Sequence, residues 1–109
     1  MLKGGDVMLN QVVLVGRIVR DPNISETSNK DKYSNITIAI PRSYKNMNGE
    51  YDSDFIPVRL FHQVAATTTE YCRKGDLVGI KGRVARLSGK DLEIIGEKVT
   101  FLSNRKESE

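Results

Sequence analysis

Hydrophobic and polar residues alternate along most of this chain, and one segment breaks the alternation. Residues 10–20 (NQVVLVGRIVR) are rich in β-branched side chains, which suit a pleated, extended backbone. Gly16 interrupts them, and an isolated Gly inside such a run predicts a bulge or sharp bend. Asp21-Pro22 ends the run, and the polar stretch 23–32 predicts a loop or turn. Residues 33–43 then alternate cleanly. Ile36, Ile38 and Ile40 fall on one face and Asn35, Thr37 and Ala39 on the other, which predicts a half-buried strand. A second polar connection, 45–54, is centred on Asn48-Gly49. Residues 55–62 alternate again, with Ile56, Val58 and Leu60 opposed to Phe55, Pro57, Arg59 and Phe61. Pro57 removes a ladder donor and predicts an edge or bulged position.

From 63 to 74 the period changes. Val64, Thr68, Tyr71 and Cys72 recur at helical spacing and predict one helix, with Tyr71 and Cys72 read as packing groups. Arg73 and Lys74 would then complement the helix dipole in its last turn, and Gly75 would follow it as the C′ residue. Strands resume at 76–87 and 91–102, joined by a tight hairpin at Ser88-Gly89-Lys90. The order β-β-β-α-β-β predicts an all-β fold: a five-stranded OB-fold Greek-key barrel with one α-helix between strands 3 and 4.

Composition narrows the function. A chain of 109 residues is one small domain. It holds 17 Lys+Arg against 14 Asp+Glu, a net +3, which permits a polyanionic partner without requiring one. No apolar run approaches the roughly 18 residues of a membrane span, and the N-terminus has no signal-peptide core. One Cys and one His build neither an intrachain disulfide nor a zinc site, so a reducing, cytoplasmic setting with no metal or cofactor is expected. His62 has no acid–base partner nearby in sequence and reads as a surface residue or one satisfied locally. Asp52/Asp54 and Asp91/Glu93 flank turns, where Asp serves the backbone, so a two-metal nuclease is disfavoured and no catalytic residue is assigned.

The faces opposite the aliphatic ones mix cations with rings. Phe55, Arg59 and Phe61 project together; Lys81 and Arg83 lie opposite Ile80 and Val84; Arg42, Tyr44 and Lys45 follow the second strand; Arg17 and Arg20 belong to the first. Single-stranded nucleic acid needs this combination, because cations follow phosphates while rings stack on unpaired bases. A duplex reader would more often present a basic helix, and this helix is mostly neutral. The pattern alone leaves Phe55 and Phe61 open: they either face outward or belong to a barrel wall buried on both sides.

Several stretches together resemble the bacterial single-stranded DNA-binding protein family. They are Asn10 to Arg17 followed by Asp21-Pro22, Asn35 to Ile40, Arg42-Ser43-Tyr44, Asp54-Phe55-Ile56, Leu60-Phe61, Glu70 to Gly75, and Val78 to Arg83. The resemblance implies an OB-fold, sequence-tolerant binding of single-stranded DNA in replication, recombination, repair or DNA uptake, and usually a homotetramer, with a dimer as the alternative. Carried over by position, Tyr44, Phe55 and Phe61 would stack on bases. Arg17, Arg42, Lys45, Arg73, Lys74, Arg83 and Arg86 would contact phosphates.

The chain also departs from the pattern. Its last hairpin is short, Pro57 stands where the family usually donates a backbone hydrogen bond, Ile56 replaces a polar residue often found there, which bears on the usual subunit contacts, and the polar tail 104–109 lacks the family's acidic recruiting tip. Residues 1–7 precede the usual start and read as a disordered leader or cloning extension; 8–103 is then the binding domain. These departures keep a second reading in play, an OB-fold interaction module of a primosome or recombination complex with weak nucleic-acid binding.

Overall fold

The structure is a computed structural model that describes residues 8–86, 89 and 91–103. The expected leader at 1–7, the tail at 104–109, and Ser88 and Lys90 of the expected hairpin lie outside the described residues. The elements run β1 (Val12–Ile18), β2 (Ser25–Glu26), β3 (Lys32–Pro41), β4 (Ser53–Phe61), α1 (His62–Tyr71), β5 (Leu77–Arg86) and β6 (Leu92–Ser103).

One sheet in the order β1-β5-β6-β4-β3-β2 curls until β1 also pairs with β3, which closes the barrel. All pairings are antiparallel except β4 with β6. The closure passes through Gly16. Up to Arg17, β1 pairs with β5; at Arg17 and Ile18 it also pairs with β3. A Cβ on Gly16 would stand 2.7 Å from the Ala39 carbonyl oxygen, so this corner admits only glycine without a backbone shift. The expected bulge is not seen, since the register with β5 runs unbroken from Val12 to Arg17, and the glycine instead serves the close approach of β3 where the strand joins both neighbours.

The predicted aliphatic faces form the core. Ile36 and Ile38 from β3, Val58 and Leu60 from β4, and Val78 and Ile80 from β5 are buried, with Ile18 and Ile95. Helix α1 plugs this barrel with Ala65 and Thr68, and Cys72 just beyond it is also buried. Burial pushes the Cys72 thiol pKa above its ordinary value, with Asp76 adding to the shift, which keeps the sulfur a packing group.

Three expectations need correction. The polar stretch 23–32 contains β2, whose two residues pair with Tyr33 and Lys32; so short a strand carries no periodicity. Helix α1 ends at Tyr71, earlier than the spacing predicts, so Arg73 and Lys74 follow it and Gly75 is not its C′ residue. Arg73 still caps the helix from outside: its Nη1 donates to the Thr69 carbonyl at 2.9 Å and the Cys72 carbonyl at 2.7 Å. Gly75 has φ +91° and turns the chain into β5, its N–H donating to the Ile18 carbonyl at 2.8 Å. Third, Tyr71, the last helical residue, is 65% exposed, so of the two expected packing groups only Cys72 is buried.

Candidate nucleic-acid interface

Strands β3 and β4 pair over their full length, and the register decides which side chains are neighbours. Ala39 lies opposite Phe55, Thr37 opposite Pro57, Asn35 opposite Arg59, and Tyr33 opposite Phe61. Pro57 has no N–H, so these are the closely spaced pairs without reciprocal backbone bonds, and their side chains share the outer face. The nitrogen of Pro57 therefore points away from β3, where β6 begins to pair only at Val58. The proline costs no ladder bond there.

Phe55 is 62% exposed and Phe61 is half-buried, which answers the ambiguity of the pattern: both lie on the outer face of β4. They lie six residue steps apart along the strand, about 20 Å. Tyr44, 64% exposed, stands in the β3–β4 connection near the Phe55 end. Two further rings join them that the sequence reasoning missed. Tyr51 is exposed in the same connection, with the Lys45 Nζ 5.8 Å from its ring centroid. Tyr33 faces Phe61 across the strands, with the Arg59 guanidinium 5.8 Å from its ring. The signal for Tyr33 was available, since the alternation that sends Ser34, Ile36 and Ile38 inward sends Tyr33 outward. Tyr51 sits in a polar connection without periodicity.

The predicted cations divide. Arg42, Lys45 and Arg59 stand beside the rings. Arg42 grips Asp54 by its side of the fork: Nη2 to Oδ1 is 2.9 Å and Nε to Oδ1 is 3.2 Å. This hydrogen bond holds the Asp54 carboxyl below the usual carboxylate range and raises Arg42 further. Arg59 donates from Nε to Asn35 Oδ1 at 3.0 Å and lies 3.4 Å from Glu93 Oε1. Arg83 pairs with Glu97 at 3.3 Å, and Arg86 is exposed opposite Leu92 at the far end of β5.

Arg17, Arg73, Lys74 and Lys81 are not gathered with the rings. Arg17 Nη1 donates to the Gly75 carbonyl at 2.9 Å, and the Lys74 N–H donates to Asp21 Oδ1 at 2.8 Å, so these residues tie the α1–β5 turn to β1. Lys81 lies opposite Val13 on the outer side of β1 and β5. His62 is exposed, as expected, and makes the turn from β4 into α1 with φ +53°. Among the described residues no cluster of His, Cys, Asp and Glu has the makings of a metal site, and no helix is long and apolar enough to cross a membrane.

A family model described as the single-strand binding protein family matches residues 9–102. The chain belongs to that family. It is 40% identical over 93 residues to single-stranded DNA-binding protein B of Bacillus subtilis, covering 85% of this chain and 82% of that one. It is 36% identical to single-stranded DNA-binding protein 1 of Clostridium acetobutylicum, covering 92% of this chain and 99% of the relative. Among solved structures, a mitochondrial single-stranded DNA-binding protein of S. cerevisiae superposes with TM-score 0.71 at 25% identity, over 92% of this chain and all of that one. The closed barrel with one helix is thus the OB-fold of this family.

Proposed function

We propose that the protein binds single-stranded DNA without catalysis, along the outer face of β3 and β4. The observation that carries this is the row of rings on that face: Phe55 and Phe61 on one strand, Tyr33 opposite Phe61, and Tyr44 and Tyr51 at the connecting loop. Tyr44, Phe55 and Phe61 stack on unpaired bases at separate points along the strand, each for about 1–3 kcal/mol. Arg42, Lys45 and Arg86 follow the phosphates, and Arg59 meets the strand between Phe55 and Phe61, nearer Phe61. Arg17, Arg73, Lys74, Lys81 and Arg83 contribute at longer range, as a positive rim that the strand reaches only when it wraps further round the barrel. A pure protein-docking module has no use for rings at both ends of one strand face, so the nucleic-acid reading is preferred. The relatives' names point the same way, to single-stranded DNA.

The protein also associates with itself in this proposal. Val13 is 67% exposed and Val15 and Leu102 are each 48% exposed, with Gly79 between Val15 and Leu102 adding no side chain. This apolar patch on β1, β5 and β6 is separate from the ring-bearing face and suits burial against a second copy. A dimer or tetramer then offers several ring-bearing faces to one strand, in replication, recombination, repair or DNA uptake.

The test is a titration with oligo-dT of graded length, followed by anisotropy and particle mass together. Saturable binding that steps with length and with subunit number supports the proposal. Equal affinity for duplex and single strand overturns it.

A further inference from the structure

Between Phe55 and Phe61 the outer face of β4 is not flat. An apolar groove of about 640 Å³ opens at its edge, lined by Pro57 and Arg59 of β4, by Leu92 and Glu93 of β6, and by Ile56 and Ile94, which pack against the core. It exists because β6 joins β4 only from Val58 onward, so the distal part of the β5–β6 pair stands away from the first half of β4. A strand whose bases stack on Phe55 and Phe61 must carry its intervening bases across Pro57 and Arg59, and hence over this groove.

The groove has a polar lip of defined chemistry. Arg59 donates its Nε hydrogen to Asn35 Oδ1 at 3.0 Å, and the same nitrogen lies 3.4 Å from Glu93 Oε1 as an ion pair. Its two terminal nitrogens carry four further N–H donors, and the guanidinium carbon lies 5.8 Å from the Tyr33 ring centroid. Glu93 is three-quarters covered, its side chain 25% exposed, and as a carboxylate it only accepts hydrogen bonds. A carboxylate on a nucleic-acid face repels phosphate, so its fitting partner is a base edge that donates. Arg59 beside Glu93 presents a donor followed by two acceptors, the same row that cytosine offers on its pairing edge. The complementary edge is that of guanine, with its O6 acceptor and its N1–H and N2–H donors. Thymine offers one N–H between two carbonyls, which the carboxylate repels. Adenine and cytosine each offer a single amine beside an unprotonated ring nitrogen.

We infer that Arg59 and Glu93 form a guanine-selective subsite within an otherwise sequence-tolerant face. The inference rests on the proposed binding of single strands and names a base preference for one position of it. Glu93 is the specificity residue, and Arg59 contributes the donor to O6.

The experiment compares three short strands in lithium buffer, each about eight nucleotides, within the ~4–16 that one such barrel covers. One is all dT, one carries a single central dG, and one carries deoxyinosine there, which lacks the 2-amino group. The dG strand is expected to bind about tenfold tighter than dT, as a bidentate base contact gives, with inosine falling most of the way back. In Glu93→Gln the ratio of dG to dT affinity should fall to about twofold or less. The ratio is taken within each protein, so a general loss of binding cancels. Equal affinities for dG and dT in the parent protein, inosine as good as dG, or a preference that survives Glu93→Gln would each overturn the subsite. The first two outcomes need no variant and so do not depend on its folding. A parent protein that binds none of the strands instead overturns the proposed function, and the subsite with it.

Discussion

Replacing Phe55 separates stacking from folding. Its ring is 62% exposed, so about two-fifths of a side chain of roughly 200 Å² is covered by neighbours, about 75 Å². At about 25 cal/mol per Å² that cover stabilises the fold by at most about 2 kcal/mol. Phe55→Leu keeps an apolar side chain of similar reach beside Ala39 and retains most of this. The flat ring face is lost in both Phe55→Leu and Phe55→Ala. Each should therefore weaken oligo-dT binding by about 1–3 kcal/mol per stacked base, or roughly five- to 150-fold in Kd. Anisotropy titrations of both variants against a labelled oligo-dT, alongside thermal melts, read the two effects separately. The expected result is a large loss of affinity in both, with Phe55→Leu nearly unchanged in Tm. Affinities within twofold of the parent for both variants would refute the assignment of the β3–β4 face.

Other consequences are as direct. Leu60 is fully buried at the centre of the barrel, so Leu60→Ala should cost about 2–5 kcal/mol by denaturant unfolding. Asp54 is held below its ordinary value of 3.8 by the Arg42 hydrogen bond, and a lowered folded pKa means that the pair favours the folded state above the unfolded pKa and loses that contribution as pH falls through the folded one. An NMR titration should place the Asp54 midpoint below 3.8 and Arg42→Ala should return it toward 3.8; an unmoved midpoint contradicts the pairing. The Cys72 thiol, buried and with its pKa raised, should react with a thiol reagent far more slowly in the folded protein than in denaturant.

The alternation of Ile36, Ile38 and Ile40 with Asn35, Thr37 and Ala39 was enough to orient β3, and Ile56, Val58 and Leu60 did the same for β4. Period-two burial is a local property, so it orients each strand, while the barrel is legible in the order of the elements and the family resemblance. What the sequence concealed is cross-strand. Arg42 with Asp54 and Arg83 with Glu97 pair only once the strands are in register, and the meeting of Arg59 with Glu93 depends on where β6 joins β4. Arg17 and Arg73 look like free cations in sequence, yet they spend donors on the carbonyls of Gly75, Thr69 and Cys72. The two-residue β2 is too short for any pattern. The helix end was misplaced because Cys72 continues the helical spacing although its φ of −108° and ψ of 149° are extended.

The central claim is that the ring-bearing face of β3 and β4 holds an unpaired strand with help from a few cations. Its most direct measurement is the affinity for oligo-dT as a function of salt, with a duplex of the same length beside it. With Arg42, Lys45 and Arg86 as the phosphate contacts, the slope of log K against log salt should be about −2, a loss of roughly twentyfold between 50 and 200 mM. Substantial affinity should remain at the higher salt, because stacking releases no ions, and the duplex should bind far more weakly throughout. Binding that ignores salt, or a duplex held as tightly as the single strand, would contradict the account.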